Sequence, residues 1–204
     1  MKLAFVTVVL GTALSVMSAS ASAQFGSLLK PAAGGASISA DQIVKRYVGG
    51  AKGVMTANAV MLGALGMKTE AGRASAQAAN LTEGATKDVL EESAKVQTEN
   101  SKALEGKLGQ KNATMDAASK KEFVNGVSEL ASGVKQYVLL GKDVAGFKPG
   151  LGSLSASAGT AISVVKTLPE STKNLVTTLK MAIEFCKTNN IPVPAGAVDA
   201  TAMI

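Results

Sequence analysis

"YVGGAKGVMTANAVMLGALGMKT", residues 47–69, is the stretch on which the fold turns. It is apolar enough for a membrane span, glycine-rich enough for a phosphate loop, and free of proline as a helix requires. Spacing separates the three readings. Val44, Val48, Ala51, Met55, Asn58, Leu62 and Leu65 recur at alternating intervals of four and three, which is one stripe of an amphipathic helix. Tyr47, Val54 and Met61 widen that stripe, and Asp41, Lys45 and Lys52 occupy the other side. A membrane span needs about 20 apolar residues in succession, and Lys52, Thr56 and Asn58 interrupt this run. "GGAKGVMT" lacks both the four-residue gap and the Gly-Lys-Ser/Thr ending of a phosphate-cradling loop. The stretch reads as a packed helix. Ser39 and Gln42 have capping-box spacing, so the helix is predicted over 40–66.

Upstream, the chain reads as an export signal followed by a leader. Lys2 gives a positive start, residues 3–17 are apolar and uncharged, and Ala21 and Ala23 stand where a signal peptidase reads small residues. Cleavage is expected after Ala23. Residues 24–38, rich in glycine, alanine and serine, are expected to be a flexible leader to a helical domain over 39–190.

Downstream, three further helical regions are legible. Residues 69–108 carry an alanine-rich part and then a charged face of Glu91, Lys95, Glu99 and Lys102, with a weaker inner stripe of Leu90, Ala94, Gln97, Ser101, Leu104 and Leu108. This is predicted as one long helix, with a bend or break at Gly84 left open. Phe123, Val127, Leu130, Val134, Tyr137, Gly141 and Val144 mark a helix over 116–146. Glycine and proline in 146–152 mark a loop. Residues 153–188 form the last helix, in which "TLPESTK", "NLVTTLK" and "MAIEFCK" repeat every seven residues. Pro169 either kinks that helix or starts a new one. Residues 191–204 are expected to be an extended tail. The predicted architecture is all-α, an elongated antiparallel four-helix bundle. Asn58 and Cys186 are expected to be buried on helices running in opposite directions.

Composition narrows the chemistry. The chain has no histidine, no tryptophan and a single cysteine. That removes the usual serine and cysteine triads, histidine-bearing zinc sites, the Glu-x-x-His di-iron motif and any internal disulfide. The net charge of +6 is spread along the chain, and Arg46 and Arg73 are the only arginines. Clustered arginine with interleaved aromatics is missing, so nucleic-acid binding is not expected. No Asp or Glu falls on a core stripe, so paired carboxylates for acid–base work are not visible and no enzyme activity, metal or cofactor is expected.

What remains is a question about helix faces. Gly49, Gly50, Gly53 and Gly63 lie in the first helix, and Gly126, Gly133 and Gly141 in the third. Each costs about 1 kcal/mol relative to alanine, a large sum beside a typical net stability of about 5–15 kcal/mol. They serve either close helix approach or a groove for an apolar ligand. The groove would be lined by Tyr47, Gly50, Met55, Asn58, Met61, Gly133 and Tyr137. Asn58 has a second reading, as a buried amide fixing helix register. Cys186 sits on a core stripe and reads as a small buried hydrophobe. Lys166, Lys173, Lys180 and Lys187 form a heptad-spaced stripe, either a solvated face or a docking surface for an anionic membrane. The expectation is an exported, periplasmic or extracellular, non-enzymatic protein acting by binding or assembly through helix faces, with self-association or a protein partner. The alternatives are a membrane-active protein that inserts helix 47–67 and a structural envelope component.

Overall fold

In the computed structural model, residues 38–110, 114–147 and 156–203 are described. The expected signal peptide, nearly all of the 24–38 leader, the core of the 146–152 loop and the start of a helix at 153 lie outside the described residues. Within them the chain is all-helical, with no strand and six helices: α1 Ala40–Ala64, α2 Lys68–Asn80, α3 Lys87–Leu108, α4 Ala117–Val144, α5 Ala156–Thr188 and α6 Ala195–Ala202.

The caps explain where these helices begin and end. The Ser39 hydroxyl accepts from the Gln42 N–H at 3.3 Å, and the Gln42 side chain accepts from the Ser39 N–H at 3.1 Å, closing the capping box ahead of α1. Asp116 caps α4, accepting from the Ser119 N–H at 2.7 Å. That bond holds the Asp116 carboxyl below its ordinary range. α1 stops at Gly66, whose φ of +79° is left-handed, and the Met67 N–H donates back to the Leu62 carbonyl at 2.8 Å. α5 stops in the same way at Asn190, φ 53°, with the Ile191 N–H on the Cys186 carbonyl at 2.8 Å. Pro169 does not end α5, which runs through it for 33 residues.

Two expectations about helix extent are corrected. The single helix over 69–108 is two helices separated by residues 81–86. Leu81 leaves the helix in an extended conformation and is 1 % exposed, so its burial pulls the chain out of helical register just ahead of Gly84. The tail over 191–204 is not simply extended, because α6 occupies 195–202. Pro194 precedes its first turn, and Ala197 and Ala200 bury a small apolar face while Asp199 pairs with Lys135 of α4 at 3.7 Å.

The extra break also resets direction. Gly126 faces Ala57 and Met61, Gly133 faces Val54, and Gly50 faces Tyr137, so α4 runs antiparallel to α1. Phe123 packs on Phe185 at 5.2 Å between ring centroids, and the Lys120 ammonium donates to the Asn189 carbonyl at 3.2 Å. Ser163 reaches Glu91 at 3.2 Å, and Thr178 reaches Glu105 at 3.3 Å, so α5 runs parallel to α3. Tyr137 reaches Gln97 at 3.1 Å and Asn100 reaches Met55 at 3.7 Å, which places α3 parallel to α1. α1, α3 and α5 therefore point one way and α4 the other. Asn58 and Cys186 are both fully buried, but on helices that run in the same direction, because α2 supplies an additional return leg.

Candidate functional site

The α1–α4 seam holds most of the residues that the sequence singles out. On α1, Tyr47, Gly50, Met55, Asn58 and Met61 are all buried, as are Gly133 and Tyr137 on α4. A methyl group built at Gly126 would lie 2.6 Å from Met61 Cγ and 3.2 Å from both the Ala57 carbonyl oxygen and the Met61 nitrogen. At Gly133 it would lie 2.6 Å from Val54 Cγ2. The two glycines, seven residues apart, let side chains of α1 close onto the bare backbone of α4. At Gly50 the space goes to the Tyr137 ring, 3.0 Å from where a Cβ would stand. The glycines here are filled by protein atoms.

Beside this seam lies a polar layer. The Tyr47 and Tyr137 rings meet at 5.5 Å between centroids with a 44° tilt. The Tyr137 hydroxyl donates to Gln97 Oε1, and Tyr47 is within hydrogen-bonding reach of Tyr137, Ser171 and Thr167. Burial pushes the Tyr137 phenol well above its ordinary range, and the neighbouring Tyr47 adds to that. Burial raises Tyr47 too, opposed by its hydrogen bonds. The Asn100 amide donates to the Met55 sulfur. Four further buried side chains carry polar atoms without a partner: both amide atoms of Asn58 and of Gln136, and the hydroxyls of Ser93 and Ser101. Asn58 and Ser93 are 0 % exposed, Ser101 3 % and Gln136 8 %. A buried, unsatisfied polar group costs about 1–3 kcal/mol.

Tyr47 also borders a small cleft between α3 and α5, with Lys87, Leu90, Glu91, Thr160, Ser163 and Thr167. Its volume of about 20 Å³ has room for a water molecule and no more.

Glu129 lies on α4 between the two seam glycines. Its Oε2 is shut from water without a hydrogen-bond partner, and burial pushes its carboxyl up. The folded state thus binds the Glu129 proton more tightly than the unfolded chain does. Stability from this group is full below the ordinary carboxylate pKa and falls as pH rises through the raised one. Glu129→Gln is expected to raise the urea midpoint at pH 7, with the gain vanishing below about pH 4. An unchanged midpoint at pH 7 would show the carboxylate to be solvated.

Cys186 is fully buried and its thiol is pushed up to about 11 by burial. Thiolate is the reactive form. Alkylation followed by mass shift at pH 8 should therefore run on the order of 100-fold slower in native protein than in urea. Equal rates would place the thiol at the surface. Lys166, Lys173, Lys180 and Lys187 are exposed along α5, with Glu170 and Glu184 on the same outer face and Lys187 paired to Glu184 at 3.6 Å. The stripe is mixed in sign.

Among the described residues no cluster of three metal-ligating side chains occurs, and no helix is long and apolar enough to cross a membrane. Comparison with protein-family models, with curated proteins and with solved structures found no match.

Sequence reasoning picked out Asn58 and the tyrosines but missed Ser93, Asn100 and Gln136. On α3 the signal was present, since Ser93, Gln97, Asn100 and Ser101 fall at helical spacing among Leu90, Leu104 and Leu108. A polar residue on a weak stripe reads as surface until a second helix covers it.

Proposed function

We propose that this is an exported, non-enzymatic protein in which α1, α3, α4 and α5 form a four-helix bundle, with α2 and α6 strapped against it, and that it acts by binding or assembly through those helix faces. The observation that carries the reading is the set of unpartnered polar groups at Asn58, Gln136, Ser93 and Ser101, all buried on α1, α3 and α4. Sealed amides and hydroxyls cost stability as they stand. A ligand or partner with an apolar body and a hydrogen-bonding head would satisfy them, and Tyr47, Met55, Asn58 and Tyr137 are the residues we assign to its recognition, whereas Gly50, Met61 and Gly133 are taken up by the α1–α4 contact itself. Insertion of 47–67 into lipid is the less favoured reading, because α1 would first have to leave the glycine contacts at 126 and 133.

Native mass spectrometry on protein isolated gently from the envelope of its own host tests the proposal. A defined extra mass, lost on denaturation, is expected for a carrier, and discrete multimers for an assembly protein. A bare monomer across the accessible concentration range overturns both.

A further inference from the structure

Among the described residues, every buried polar side chain outside the tyrosines and Cys186 is an amide or an aliphatic hydroxyl, and none is a lysine, arginine, aspartate or glutamate. Burial keeps the Tyr47 and Tyr137 phenols protonated. Arg46 is paired with Asp143, and both side chains are more than a fifth exposed. The one acidic oxygen shut from water, Oε2 of Glu129, belongs to a side chain left partly exposed. The core is therefore polar in places but carries no formal charge.

Two of the unpartnered groups lie at one level of the α1–α3 seam. The Asn100–Met55 bond sets the two helices against each other there, Asn58 stands one turn beyond Met55, and Ser101 follows Asn100. Farther along the same helices the buried residues are aliphatic, with Leu62 and Leu104 at 0 % exposure and Leu108 at 7 %. A polar stretch of the seam thus runs into an apolar one. The unpartnered atoms also have a definite chemistry. The Asn58 amide offers two N–H donors and an acceptor oxygen, and the Ser101 hydroxyl both donates and accepts. A primary amide or a hydroxyl answers both kinds of group. A carboxylate only accepts and an ammonium only donates, and either brings an unpaired charge into the interior.

We infer that the ligand class of this site is a neutral, single-chain amphiphile with a primary amide or hydroxyl head, the head at Asn58 and Ser101 and the chain toward Leu62 and Leu104. The inference rests on the binding reading above and names its ligand. The cleft beside Tyr47 holds only about 20 Å³, so the guest must part packed side chains. A slender, flexible chain does so where a rigid ring system does not, and Met55 is the side chain best able to give way. A fatty acid enters only as the protonated acid, because burial without a cation disfavours its carboxylate.

Four probes of equal chain length test this: decanamide, 1-decanol, decanoate and decylammonium, titrated below their micelle concentrations. Tyr47 and Tyr137 are the only tyrosines and the chain has no tryptophan, so tyrosine emission reports on the core directly. At pH 7 the two neutral probes should saturate the signal with a Kd at least about tenfold below that of either charged one. Decanoate should tighten as the pH falls toward 5. Asn58→Leu with Ser101→Ala keeps the core closed and should bring the four probes to within about threefold of one another. Charged probes that bind as tightly as neutral ones overturn the ligand class while leaving the carrier reading standing, and a preference that survives the double substitution overturns the placement of the head. No saturable signal from any of the four overturns the inference together with the carrier reading.

Discussion

Gly126→Leu lowers the unfolding free energy by about 3 kcal/mol, the upper part of the range for forcing bulk into a closed interface. Even a single added carbon at that position meets Met61 Cγ at 2.6 Å, and two of the three nearest atoms belong to α1 backbone, which cannot rotate away. Gly141 on the same helix is the control: nothing lies within 4 Å of its added carbon. Gly141→Ala should raise stability by about 1 kcal/mol through helix propensity alone. Urea unfolding followed by far-UV circular dichroism reads both, and each kcal/mol moves the melting temperature by about 2–4 °C in a domain of this size. If Gly126→Leu were as mild as Gly141→Ala, α1 and α4 would not meet through glycine, and the antiparallel pairing drawn from those contacts would fall.

Asn58→Leu should move stability the other way, raising it by about 2 kcal/mol. The wild-type amide is fully buried with neither its nitrogen nor its oxygen partnered. Replacing a stranded polar group by an apolar one of similar volume recovers its desolvation cost and adds apolar burial. Thermal melts of the two proteins, run without any extract from the host, give the answer. A loss of stability would mean that Asn58 has a partner in solution. Paired with native mass spectrometry, the same variant connects stability to recognition: a carrier whose ligand is held by Asn58 would gain stability and lose its extra mass together.

α1 was the most legible part of the chain, because its cap, its stripe and its glycine stop are all local. Ser39 and Gln42 are three residues apart, and the 4–3 spacing needs no knowledge of the partner helix. Cys186 and Asn58 were legible as buried for the same reason. The break at 81–86 was only half visible. Gly84 permits it, but the burial of Leu81 enforces it, and Leu81 is buried only because other helices enclose it. α6 was misread because Pro192 and Pro194 argue for extension locally, whereas Ala197 and Ala200 are held helical by burial against the rest of the fold.

The sequence by itself determined the all-helical class, the cap of α1 and the faces that turn inward, since these depend on residues within a few turns of one another. Tertiary structure decided what the glycines are for, because a missing side chain means close approach or open space according to what stands opposite, and Met61 and Val54 stand opposite Gly126 and Gly133. It also decided helix direction, which one additional reversal at 81–86 changes for every helix that follows. The polar inner face of α3 belongs to the same class of fact: burial is a property of the neighbours, and the neighbours come from distant parts of the chain.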